Sequence, residues 1–128
     1  MKVTRFEVLE IWKLARDLYK FVFIISSKEP FFRDFKLRDQ IRASSGFISD
    51  NIAEGFERGG NKEFIQFLFV AKGSCGETRN QSYRAFDSSY ISQEILDELL
   101  NRTETIARKT ANLIKTLKDS DRKGIKFD

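Results

Sequence analysis

A chain of 128 residues with 23 lysines and arginines against 19 acids, one cysteine and no histidine suits a single domain, which at this size buries roughly two thirds of its unfolded surface. The missing histidine excludes Ser-His-Asp and Cys-His nucleophile activation and the Glu-x-x-His ligands of di-iron bundles, and the lone Cys75 supplies neither a disulfide framework nor a zinc site. A single proline and seven glycines leave long uninterrupted segments, which favours helices.

The first helix is predicted to open on a capping box, Thr4 with Glu7 three residues later, and to bury Ile11, Leu14, Leu18, Val22 and Ile25 at steps of three and four. Ser26, Ser27 and Pro30 end it, because proline lacks the backbone donor and biases its predecessor away from α. Phe31, Phe32 and Phe35 read as an aromatic plug over one end of a bundle. A second helix, beginning between Pro30 and Leu37, buries Leu37, Ile41, Ser44, Ile48 and Ile52. Its small residues Ala43, Ser44, Ser45 and Gly46 let another backbone come close, and Gly55 is its expected end.

The stretch "NIAEGFERGGNKEF", residues 51–64, has the glycine spacing of a phosphate cradle. Asn61 nevertheless separates the second glycine from Lys62, and Glu63 stands where a hydroxyl is required. It reads instead as a turn at Gly59 and Gly60 between two helices, with Asn61 as the N-cap of the third. That helix, running toward Ser89, buries Phe64, Leu68, Ala71, Cys75, Thr78, Ser82 and Ala85 at heptad-like spacing, a pattern of antiparallel neighbours. Its face is so small that at least one neighbour must come close. Ser92 caps a fourth helix burying Ile95, Leu99, Thr103, Ile106, Thr110, Leu113 and Leu117. The fold class is therefore all-α, an antiparallel up-down four-helix bundle over residues 1–118, with a short tail at 119–128 that frays.

Residues 108–128 carry seven basic side chains against three acidic ones, and the other 107 residues balance at 16 of each. The excess suits a polyanion or an acidic partner, while cations at a helix C-terminus also have a purely local use. "GSCG", residues 73–76, has the form of a nucleic-acid-binding GxxG clamp, but it falls inside a periodic helix and reads as a close helix contact. Cys75 reads as a small buried apolar group. Glu54 and Glu77 read as members of a polar layer near buried faces rather than as an acid/base pair. Phe23, Phe56, Phe67 and Phe69 fit none of the single buried faces, and this surplus suggests self-association. No metal or cofactor site emerges. The longest apolar run, "FVFII" at 21–25, is too short to cross a bilayer, and the expected setting is the cytoplasm.

Three stretches, "FEVLEIWKLARDLY" at 6–19, "LRDQIRASSGFISDNIAEGFERGGNKEFIQFL" at 37–68 and "AKGSCGETRNQ" at 71–81, closely resemble the bacterial four-helix-bundle family of 23S rRNA intervening-sequence proteins. The family motif falls on Asn51, Ala53, Glu54, Gly55 and Arg58, with Gln40 upstream and Gly73, Ser74 and Glu77 downstream. The resemblance implies a bundle without known catalytic activity that assembles into a homo-oligomeric ring, commonly a pentamer. It also implies a fold similar to that of the accessory variability proteins of diversity-generating retroelements, which engage nucleic acid. The chain departs from the pattern at Phe47 to Asp50, where a proline is common, and at Cys75, where an aliphatic residue is common.

The resulting expectation is an oligomer that binds RNA or another nucleic acid through phosphates, by way of Arg38, Arg42, Arg108, Lys109, Lys115 and Lys118. Asp34 and Asp39 offset part of the charge of Arg38 and Arg42. The competing expectation is a ring that docks a protein partner and binds no nucleic acid.

Overall fold

The computed structural model describes residues 3–122. Its helices are α1 (Glu10–Ser26), α2 (Phe35–Glu57), α3 (Asn61–Asp87) and α4 (Gln93–Arg122), with 3₁₀ turns at Phe6–Val8 and Phe31–Arg33. No strand occurs among the described residues. Short turns reverse the chain between helices, so the result is the antiparallel four-helix bundle that the spacing predicts. α2 packs on α1 and α3, α3 packs on α4, and α4 closes most lightly on α1. α2 and α4 therefore stand at opposite corners.

Buried stripes follow the helical period. Every residue predicted for the inner faces of α2 and α3 is buried. On α1 the central place goes to Ala15, with Leu14 half-buried; on α4 Leu96 and Ile114 are buried while Ile95 and Leu113 sit half-buried beside them. Between α2 and α3 the core is polar and narrow. Ser44 Oγ lies 2.8 Å from Thr78 Oγ1 and donates to Gln81 Oε1 at 2.6 Å, which satisfies groups whose burial without partners costs about 1–3 kcal/mol each.

Several helix ends differ from the sequence expectation. Glu7 lies in the first 3₁₀ turn, where Phe6 packs edge-on against Trp12 at 5.3 Å, and α1 starts behind Leu9 with no side-chain cap. The Thr4–Glu7 box therefore does not open α1. Gly55 is buried inside α2 rather than at its end: a Cβ there would stand 2.5 Å from Phe67 Cβ, so this glycine is what lets α3 come close. The turn is made by Gly59 at φ +87°, a conformation that side chains disfavour. Asn61 is the first residue of α3 and buried, and the N-cap is Gly60. Ser92 does cap α4, accepting from the Ile95 N–H at 3.2 Å. α4 continues past position 118 to Arg122, and residues 123–128 of the expected tail lie outside the described residues.

The predicted aromatic plug is one ring rather than three. Phe31 is fully buried and stacks on Tyr90 at 5.3 Å, whereas Phe32 and Phe35 stay on the surface.

Candidate nucleic-acid interface

Trp12, Arg16, Tyr19 and Phe23 follow one another at steps of four, three and four, so they form a second stripe on α1, roughly 100° round from the buried one. This stripe borders α2: Gly46 lies under the Tyr19 ring, and Arg42 reaches Phe23. The Arg16 guanidinium sits 5.7 Å from the Trp12 ring centre, and Tyr19 and Phe23 lie 6.3 Å apart. Tyr19, Lys20, Phe23 and Ile24 line a shallow depression of about 410 Å³.

Arg42 is fixed by three contacts. Its guanidinium lies 4.3 Å over the Phe23 ring, Nε donates to Ser26 Oγ at 2.8 Å and Nη2 to Ser27 Oγ at 2.9 Å. These acceptors are neutral hydroxyls, and no carboxylate among the described residues pairs with Arg42. One turn earlier, Arg38 lies 4.7 Å from Phe32 and 4.9 Å from Phe35, two rings in edge-to-face contact. Its Nε bonds Asp39 Oδ1 at 2.8 Å, and that bond holds the Asp39 carboxyl below its ordinary range. Asp39 thus pairs directly with Arg38 and its charge also acts on Arg42, which makes no ion pair of its own among the described residues. Phe35 is 60% exposed and Phe23 45%, so the band presents open aromatic surface beside fixed cations.

The four α4 cations do not join this band. Lys109 Nζ turns toward α1 and pairs with Glu10 at 3.2 Å, and Lys118 Nζ turns toward α3 and lies 5.2 Å from the Phe69 ring. Arg108 and Lys115, two turns apart, point outward and are exposed. The six predicted cations accordingly fall into two groups at opposite corners. Arg38 and Arg42 form the built one. Sequence reasoning missed Trp12, Arg16 and Tyr19, although their helical spacing carries the signal, and it placed Phe32 and Phe35 inside.

A second exposed surface lies on α3, where Phe69, Val70 and Tyr83 face solvent and a Cβ added at Gly73 or Gly76 would meet nothing within 4 Å. Among the described residues Gly73 and Gly76 therefore make no close helix contact, while Ser74 and Cys75 between them are buried. Cys75 is buried, and burial pushes its thiol pKa up to about 12. Among the described residues no group of three or more His, Cys, Asp or Glu is placed to hold a metal ion, and no helix is long and apolar enough to cross a membrane.

The model of the family described as 23S rRNA-intervening sequence protein matches residues 7–112. The chain belongs to this family. No curated protein matches it. A solved structure, a protein of unknown function from the S23 ribosomal protein family of Bacteroides thetaiotaomicron VPI-5482, is similar with a TM-score of 0.75 and 21% identity over 82% of this chain and 95% of that one. At that identity the likeness concerns the fold.

Of the residues carrying the 23S rRNA-intervening sequence protein pattern, Gln40, Gly55 and Arg58 meet α3, whereas Asn51 and Ser74 bond within their own helices. Asn51 Nδ2 donates to the Phe47 carbonyl at 2.7 Å, Gln40 Oε1 accepts from Arg84 at 3.2 Å, and the buried Ser74 accepts through its carbonyl from Thr78 at 3.0 Å. Arg58 pairs with Glu54 at 2.8 Å and lies 5.1 Å from the Phe67 ring, and the Glu54 bond raises its pKa. Ala53 is half-buried. Glu54 and Glu77 are both exposed, so neither belongs to a buried polar layer.

Proposed function

We propose that this chain is a non-catalytic, homo-oligomeric RNA-binding bundle that engages phosphates through the α1–α2 face. The observation that carries this reading is Arg42, oriented by Phe23, Ser26 and Ser27 and left without a carboxylate partner among the described residues. A cation fixed in place with no ion pair of its own is suited to a phosphate, and the neighbouring Arg16 extends the positive band. Arg108, Lys109, Lys115 and Lys118 add a weaker field at the opposite corner. Membership in a family named for sequences inserted in 23S rRNA agrees with an RNA ligand. The cytoplasm is the proposed setting, and a ring of five is the count that the sequence resemblance implies.

A second reading, a ring that docks a protein and binds no nucleic acid, draws on the exposed apolar surface of α3. Titration of labelled structured RNA at several salt concentrations separates the two. With about four to six phosphate contacts, log affinity falls against log salt with a slope of roughly −4 to −5, and Arg42→Gln lowers that slope by about one. No binding at low salt would favour the protein-docking ring.

A further inference from the structure

We infer that the α1–α2 face takes single-stranded rather than duplex RNA, with unpaired bases stacking on Tyr19, Phe23, Phe32 and Phe35 while Arg42 and Arg16 hold phosphates. This rests on the nucleic-acid reading of the same face. Four aromatic rings are exposed along one seam, and each arginine there lies against a ring rather than reaching into solvent alone. A face that only gripped phosphates would need no rings. Keeping them in water forgoes the hydrophobic stabilisation that covering them would supply.

Stacking and charge are combined here as single-strand binding requires. An unpaired base offers a π-face to any ring, and each such stack is worth roughly five- to hundredfold in affinity. In an A-form duplex those faces are already stacked, and only phosphates, 2′-hydroxyls and groove edges remain accessible. A duplex would therefore meet the cations and leave the rings unused. The cations alone are few: Asp39 pairs with Arg38 and its charge also acts on Arg42, which leaves Arg42 and Arg16 as arginines of the band without an ion pair among the described residues. The depression beside Tyr19 and Phe23 has about 410 Å³ of open volume and is lined by apolar ring and chain atoms, with Lys20 at its edge. That setting fits a flat base with its phosphate turned outward. Tyr19 and Phe23 lie at one end of the band and Phe32 and Phe35 at the other, with Arg38 and Arg42 between them on successive turns of α2. The ligand is thus a short unpaired segment of about four nucleotides, one for each ring.

The test compares a labelled twelve-nucleotide single-stranded RNA with the blunt duplex of the same sequence by fluorescence anisotropy at low salt, using the full chain. The single strand is expected to bind at least tenfold more tightly. Phe35→Leu and Phe23→Leu keep apolar bulk at exposed positions and remove the π-face, so each should weaken single-strand binding about fivefold or more and leave the salt slope unchanged. Arg42→Gln should lower the slope. Circular dichroism confirms that each variant keeps its helices. Equal affinity for the duplex, or leucine variants that bind as wild type does, would overturn the single-strand inference and leave phosphate binding standing. If neither RNA binds, the nucleic-acid reading falls and this inference falls with it.

Discussion

Asp34 ties the start of α2 to the connection before α4. Its Oδ1 accepts from the Leu37 N–H at 3.1 Å as the helix N-cap, and its Oδ2 accepts from the Tyr90 hydroxyl at 2.9 Å. The Leu37 bond first, then the Tyr90 bond and the Arg84 charge, hold this carboxyl below its ordinary value, and the same Asp34 bond raises Tyr90 above its own. A depressed carboxyl stabilises fully above its unfolded value of about 4 and loses that contribution as the pH falls through the folded value. A raised phenol stabilises fully below about 10 and loses its contribution as the pH climbs through the folded value. Asp34→Ala should therefore lower the melting temperature most between about pH 5 and pH 9, with the gap to wild type closing at both extremes. Thermal unfolding followed by circular dichroism from pH 3 to pH 11 checks this, and a gap that did not change with pH would show that the carboxylate charge plays no part.

At the scale of elements, two glycines of similar appearance in the sequence have opposite roles. Gly55 admits the Phe67 side chain, and alanine there would force α2 and α3 apart, a form of overpacking that costs roughly 1–3 kcal/mol. Gly73 has open space around it, and alanine there should stabilise α3 by up to about 1 kcal/mol in the isolated chain. Urea unfolding at a concentration where the protein is monomeric should show the two signs, and a destabilising Gly73→Ala would contradict the open face. No sequence rule separates these positions, because the difference lies in which residue of another helix comes opposite. The buried stripes of α2 and α3 were legible for the converse reason: Leu37, Ile41, Ser44, Ile48 and Ile52 repeat with the period of their own helix. The proposed binding face combines both cases. Trp12, Arg16, Tyr19 and Phe23 share a legible stripe, but the meeting of Arg42 with Phe23, Ser26 and Ser27 spans 15 or 16 residues between hydroxyls and guanidinium. Phe32 and Phe35 stay outside because Phe31, the one buried ring of these three, already stacks against Tyr90 at the end of the core.

For the whole molecule, the two broad faces differ in the groups they expose, which fits the separate tasks proposed for them. The α1–α2 face carries arginines on rings, whereas α3 presents Phe69, Val70 and Tyr83 round a strip where Gly73 and Gly76 leave the backbone uncovered. Exposed mid-helix glycines cost stability in a lone chain, about 1 kcal/mol each against alanine, and bare backbone flanked by apolar side chains suits close approach by another helix. The homo-oligomeric reading accordingly assigns the contact between copies to α3 and keeps the α1–α2 face free for RNA. Val70→Lys should then shift the mass measured by light scattering from that of an assembly to that of one chain, with the helical signal retained. A full fivefold mass change is not required; any loss of the assembled species suffices. RNA affinity per chain for the single-strand probe should change little in that variant, because Val70 is remote from Arg42, while any gain that arises from several chains binding one RNA would be lost. An unchanged assembly would remove α3 as the contact surface, and a monomeric wild type would remove the ring itself.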